Sequence, residues 1–262
     1  MVDWWKTFVR INETSFRLSY GWMQVWVYVL TLVVRPAAQV IFFGVMARFI
    51  TGSPEVSYQV IGNTIQVCAL VSLYGVAENL LAQRRNGTLA LLVLAPRSRL
   101  FVFAGQVWLL GLHGLVVTGG AFVIGASVFG LELSQTDWAG LVLAMVVTVL
   151  ATSGLGTALG SLGLHLPDIH LAGNLLAGIM MAICGINFPV SALPAWLARL
   201  SQILPMTRGA AAARLAVAGG GPEFAALIVG ELVVGLAWFV VGYLAYRWAE
   251  RQARLHATLD LF

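Results

Sequence analysis

The chain has 262 residues, of which 60% are hydrophobic and only 10% charged, with a formal net charge of +4. Water-soluble domains carry roughly 25% charged residues, so the solvated surface of a soluble enzyme or a nucleic-acid-binding domain is missing. Lipid must cover much of this protein. Two cysteines, Cys68 and Cys184, lie in separate apolar stretches and make a disulfide framework a poor reading.

Taken in chain order, residues 1–20 mix Trp4, Trp5, Phe8 and Ile11 with Lys6, Arg10, Glu13 and Arg17. The apolar positions share one helical face, and aromatics favour headgroup depth, so a helix lying in the membrane interface is expected. This interfacial unit extends as an elbow to residue 31. A core of about six spans fills residues 32–247, and 248–262 form a tail. The spans are placed near 32–50, 58–82, 101–130, 138–164, 171–189 and 224–247. The first is set by Arg35–Pro36: arginine at the boundary avoids a mid-membrane charge, and Pro36 is expected in the first helical turn, where its missing N–H costs nothing.

Basic residues set the orientation. Lys6, Arg10, Arg17, Arg35, Arg84, Arg85, Arg97, Arg99, Arg247, Arg251 and Arg254 fall on one side, against Arg48, Arg199, Arg208 and Arg214 on the other. Both termini are therefore expected in the cytoplasm of a multi-pass plasma-membrane protein.

Catalytic chemistry is hard to find. A phosphate-binding P-loop needs a lysine in a glycine-rich turn, and Lys6, with no such turn beside it, is the sole lysine. No zinc-protease motif, nucleophile elbow or metal-binding aspartate run occurs, so neither catalytic residues, a metal nor a cofactor is assigned to the chain. His113 and Ser153 are residue types that an intramembrane protease would use, but nothing places them together, and a lone histidine on an apolar helix is more often hydrogen-bonded to a neighbouring helix.

Two segments are informative. In the first, Arg84, Arg85, Gly87 and Thr88 precede Leu89, Leu91, Leu92 and Leu94, and Pro96 closes the run. Thr88 can cap a helix too short to span, with a leucine face offered to a partner on the cytoplasmic side. An ordinary basic loop is the plainer reading. In the second, Gly185, Phe188, Pro189, Pro194, Trp196, Pro205 and Arg214 lie between two spans on the outer side. Pro194 and Pro205 each precede a helical pattern, which suggests two short helices that dip into the outer leaflet and return. Irregular backbone at that depth needs protein or a water-filled cavity to cover it, which makes the segment a candidate outer gate; the alternative is a structured interfacial loop. Within the spans, Asn63, Gln66, His113, Asn174 and Glu231 are polar. An ionisable group such as Glu231, two turns into the last span, is a functional candidate by default or a hydrogen-bonded structural carboxyl. Gly156 and Gly160 have the spacing that lets helices approach closely, for internal packing or for lining a dimer.

Together these segments resemble the type-2 ABC transporter permeases, end to end. The inner-loop pattern of that family matches at Arg84, Arg85, Gly87, Thr88, Leu89 and Pro96, and departs at Gln83 and Ala90, where the family carries glutamates. The outer pattern matches at Gly185, Phe188, Pro189, Leu193, Pro194, Trp196, Leu197, Pro205 and Arg214. The resemblance implies an all-α membrane subunit with a cytoplasmic coupling helix and a re-entrant outer segment. It further implies pairing with a second permease, identical or paralogous, and docking on a cytoplasmic ATPase that binds ATP and Mg. Membrane lipids are further partners, and nucleic acid is not. The cargo suited to short outer loops and interfacial aromatics is lipophilic or amphipathic: a drug, a natural product or a lipid-linked glycan. A stand-alone carrier or channel is the alternative; no visible internal repeat and few buried charges for ion coupling speak against it.

Overall fold

The computed structural model describes residues 24–50, 53–85, 99–163 and 169–255, and among these there are helices and turns but no strand. The helices are α1 (Val25–Ile50), α2 (Ser53–Arg85), α3 (Arg99–Phe129), α4 (Trp138–Gly163), α5 (Ile169–Ile183), α6 (Ala195–Ser201), α7 (Thr207–Val217) and α8 (Phe224–Leu255), with one 3₁₀ turn at Val190–Ala192. A helix satisfies its backbone within one segment, which is what a lipid environment demands. Five of these helices contain stretches long and apolar enough to cross a membrane: Leu32–Ile50, Val56–Ala82, Leu112–Phe129, Trp138–Gly163 and Phe224–Trp248.

Two expectations change. The first-turn position of Pro36 gives way to one continuous helix, Val25–Ile50, with Pro36 inside it, although the apolar stretch Leu32–Ile50 coincides with the span expected at 32–50. A helix interior tolerates this proline because only one carbonyl loses its donor and Pro36 is buried against neighbouring protein. Arg35 remains exposed, three residues inside the apolar stretch that begins at Leu32. The fifth expected span, 171–189, is helical only over Ile169–Ile183. Its 15 residues reach about 22 Å at 1.5 Å per residue, short of the hydrocarbon core of about 30 Å. It ends where Gly185 takes a left-handed backbone, φ +72°, in a turn that redirects the chain. The interfacial helix expected over residues 1–20 and the short inner-loop helix expected between Thr88 and Pro96 fall outside the described residues.

At the centre of the bundle lies α4, which packs against α8, α2, α7, α3 and α5, while α1 packs on α2 and α3. Of its 26 residues, 19 are buried, and its sequence explains how so many neighbours fit. On one face, a Cβ at Gly156 would come within 2.7 Å of the Leu73 carbonyl and one at Gly160 within 3.1 Å of Ala77 Cα, so α2 lies backbone to backbone. On another, Gly235 and Gly242 of α8 close on Ala151 and Ala158, where a Cβ would stand 2.5 Å and 2.8 Å from the backbone. The Gly156–Gly160 spacing therefore serves packing within the chain, and its dimer-lining reading is excluded by α2.

The hydroxyls of α4 are buried without cost to hydrogen bonding. Thr148 donates to Ala144 O at 2.8 Å, Thr152 to Thr148 O at 2.7 Å, Thr157 to Ser153 O at 2.9 Å and Ser161 to Thr157 O at 2.7 Å. This bonding to the carbonyl one turn back lets small polar residues fill an apolar interior. Ser72 of α2 joins the set, 2.7 Å from Thr152 Oγ1 and 3.0 Å from Val149 O.

Candidate functional site

The segment between α5 and α8 is built on three fixed points. The first is the start of α7. A helix leaves its first N–H groups without intrahelical acceptors, and here the chain offers no local cap: Met206 is in the left-handed region, φ 85°, and makes no side-chain cap. The acceptor comes from α8. Glu231, fully buried, receives the Met206 N–H on Oε1 and those of Arg208 and Gly209 on Oε2 at 3.1 Å and 3.0 Å. A carboxyl at a helix N-terminus also opposes the helix dipole favourably. Gly209 is required for this fit, because a Cβ there would overlap the Thr148 hydroxyl of α4.

The second fixed point joins α6 to α7 and α8. Thr207 Oγ1 donates to Ser201 O at 2.6 Å, Arg208 Nη1 to Gln202 O at 2.8 Å, and the Trp238 indole of α8 to Ile203 O at 2.8 Å. Together with Glu231, Trp238 holds the turn from one face of α8, two helical turns apart.

Arg214 is the third. Its guanidinium lies 3.4 Å from the centre of the Tyr58 ring and donates to Tyr58 O at 3.2 Å and Ile186 O at 2.9 Å. Gly62 makes room, since a Cβ there would strike both Arg214 Nη2 and the Ile186 carbonyl. Tyr58 in turn donates through its hydroxyl to Gly185 O at 2.9 Å, and Gln59 Nε2 to Asn187 O at 2.7 Å. One side chain thus ties α7, α2 and the turn after α5. Arg214→Ala is expected to lower stability by about 2–4 kcal/mol, as removal of a buried hydrogen-bonded charge does. Arg214→Lys should recover less than half of that, for want of the planar fork and the stacking surface. Thermal unfolding of the three purified proteins checks both figures.

Around Asn187 a carboxamide cluster continues inward. Asn63 Nδ2 donates to Asn187 Oδ1 at 2.9 Å, and Gln39 Nε2 of α1 to Gln66 Oε1 at 3.0 Å and Asn63 Oδ1 at 3.4 Å. Asn63 and Gln66 are buried, and neutral amides pairing across helices are how membrane interiors accommodate such groups.

The sequence-derived residues are thus distributed over separate places. Gly185 and Arg214 come together at Tyr58, with Asn63 in the adjoining carboxamide cluster, and Pro205 lies beside the start of α7 that Glu231 holds. Phe188, Pro189 and Trp196 are exposed, Trp196 at 63%. His113 is half-buried on α3. Ser153 gives its hydroxyl to Val149 O at 2.7 Å beside Ser72, so it is occupied as a structural group. Arg84 and Arg85 end α2, while Gly87, Thr88, Leu89, Leu91, Leu92 and Pro96 lie outside the described residues. No group of three metal-ligating side chains occurs among the described residues. Tyr58, Gln59, Gln39, Asn187 and Trp238 were not evident from sequence as parts of this site; each looks locally like an ordinary polar or aromatic residue near a span.

The ABC-2 type transporter family model matches residues 16–217. The chain is also 24% identical over 192 residues to the inner membrane transport permeases YhhJ of Escherichia coli (strain K12) and Shigella flexneri, covering 71% of this chain and 49% of each relative. It spans about half the length of the curated relatives it matches.

Proposed function

Because the chain belongs to the ABC-2 type transporter family, we propose that it is the membrane subunit of an ATP-driven exporter, moving a lipophilic or amphipathic cargo out of the cytoplasm or the inner leaflet. The observation that carries this reading is that the family match, residues 16–217, includes both the inner segment 84–96 and the outer segment 185–214. ATP and Mg are bound by a separate cytoplasmic ATPase, and a second permease subunit, the same chain or a paralogue, completes the membrane pore. The coupling element is the short leucine-bearing segment that Thr88 opens and Pro96 closes, directly after Arg84 and Arg85. Leu89, Leu91 and Leu92 dock in a groove of the ATPase, and Arg84 and Arg85 meet acidic partner surfaces or lipid phosphates.

Energy conversion is then a two-state problem. Nucleotide binding changes the spacing of the ATPase subunits, the coupling helix passes that change to α2 and α3, and the bundle alternates between inward- and outward-open arrangements. The outer segment is re-entrant in this reading and serves as the outer gate. Exposed Phe188, Trp196 and Ile203 suit an apolar exit surface. Anchored α7 and the turn after α6 are the frame of that gate, and the exposed stretch from Phe188 to Trp196 is the part that moves. Both termini face the cytoplasm of a plasma membrane in this reading, which the arginine distribution supports.

Co-expression with an ATPase of this class tests the proposal directly. The expected result is co-purification and ATP hydrolysis in the assembled complex that cargo stimulates. Labelling of cysteines introduced at 84–99 by an impermeant reagent added outside the cell would overturn it, as would transport by this polypeptide alone.

A further inference from the structure

Helix α5 is held far more lightly than the central helix α4. Four of its 15 residues are buried, Ile169, Gly173, Met180 and Ile183, a single narrow stripe, whereas α4 buries 19 of 26. Its link to α2 is made by two side-chain rungs in register. Tyr74 Oη donates to Asn174 Oδ1 at 2.9 Å, and His170 Nε2 lies 2.9 Å from Glu78 Oε1. Each step of one helical turn along α2, from 74 to 78, is answered by one turn back along α5, from 174 to 170. Between the rungs, Gly173 packs on the Tyr74 ring, where a Cβ would stand 2.7 Å from Cε1. One turn beyond Asn174, at Gly178, a Cβ would meet nothing within 4 Å. The first half of α5 is thus held by the two rungs and Gly173, whereas its far end is held by Met180 and Ile183 in the apolar core.

The rungs are also weak by nature. His170 is 61% exposed and Glu78 30%, and an exposed pair of this kind contributes little to stability. On a helix that buries so few of its own residues, such ties are suited to being broken and remade rather than to holding the fold together.

We propose that His170–Glu78 and Asn174–Tyr74 form a reversible latch, closing the start of α5 against α2 at the end of the bundle that bears Arg85, and that each transport cycle opens it. The inference rests on the transporter reading above. The latch residues are positioning residues: they set where α5 stands, while the cargo passes elsewhere along the bundle.

The test is a Glu78→Cys, His170→Cys double variant of the full chain, assembled with its ATPase and treated with a short bifunctional thiol reagent. The native Cys68 and Cys184 are both buried, which keeps the background low. A crosslink within one chain is expected, together with a loss of ATP turnover that a reductant reverses. A crosslinked complex that turns over as fast as the untreated one overturns the latch, as does failure of the assembled variant to crosslink. Wild-type complex measured in parallel separates the two ideas. If it hydrolyses no ATP, the transporter reading fails; if it is active and the crosslinked variant equally so, the latch alone fails. Should the double variant not assemble, Tyr74→Phe decides, because it keeps the ring under Gly173 and removes only the hydroxyl. Its cargo-free ATP hydrolysis is expected to rise about fivefold, the factor one net hydrogen bond contributes to an equilibrium; an unchanged rate overturns the proposal.

Discussion

Replacing Glu231 by alanine is expected to release the segment between α5 and α8 and to lower stability by about 3–5 kcal/mol, since three backbone N–H groups lose their acceptor inside the protein. The Met206, Arg208 and Gly209 amides have no substitute nearby, because the start of α7 carries no side-chain cap of its own. Glutamine should be intermediate. Its single carbonyl oxygen can serve Arg208 and Gly209, while its amide nitrogen would face the Met206 N–H as donor against donor. Cys184 provides a native reporter of this change: it is fully buried, and its sulfur lies 4.0 Å from Pro205 O, at the turn Glu231 holds. In the alanine variant a maleimide should label Cys184 in purified protein, whereas in wild type it should not. Equal labelling and equal thermal unfolding in the two proteins would show that the carboxyl is dispensable.

The second large effect concerns the inner segment. Leu91→Asp with Leu92→Asp is expected to abolish ATP-driven transport while the chain still inserts and folds. A leucine anchor at a protein interface that contributes about 2 kcal/mol corresponds to about 30-fold in docking affinity, and an aspartate facing the groove adds a desolvation penalty. Charge reversal at Arg84 and Arg85 should act in the same direction but more weakly, because charged groups at an interface set approach and register more than affinity. Co-purification of the ATPase, with hydrolysis by the recovered complex, measures both. Transport at the wild-type level in the double aspartate variant would remove the coupling role from this helix.

These two predictions differ in how they became visible. Residues 84–96 stand out in a linear reading, because arginines, a glycine–threonine break and a leucine run are neighbours in the chain. Glu231 stands out only as a carboxyl in a span, with no hint of its partner. Its three donors lie 22 to 25 residues earlier, and a helix that needs a cap from elsewhere looks in sequence like any helix following a proline. The first span shows the opposite failure. Arg35–Pro36 reads as a helix start by local rules, yet α1 runs through it from Val25, since the helical hydrogen bonds on either side outweigh one missing donor. The fifth span was placed by hydropathy alone, which sees apolar residues through to 189 and cannot see that the backbone turns at Gly185.

Composition and the placement of arginines were enough to establish a helical, multi-pass membrane protein. A lipid solvent makes two demands that leave a local trace: backbone polar groups must be satisfied within each span, and cations collect on one side. Partner choice between helices leaves no such trace. Arg214 reaching Tyr58 across 156 residues of chain, Tyr74 meeting Asn174, and the glycines of α4 closing on α2 and α8 follow from how helices stack in three dimensions. Each contact depends on the relative rotation and depth of two helices, and that is set jointly by all the helices packed around them.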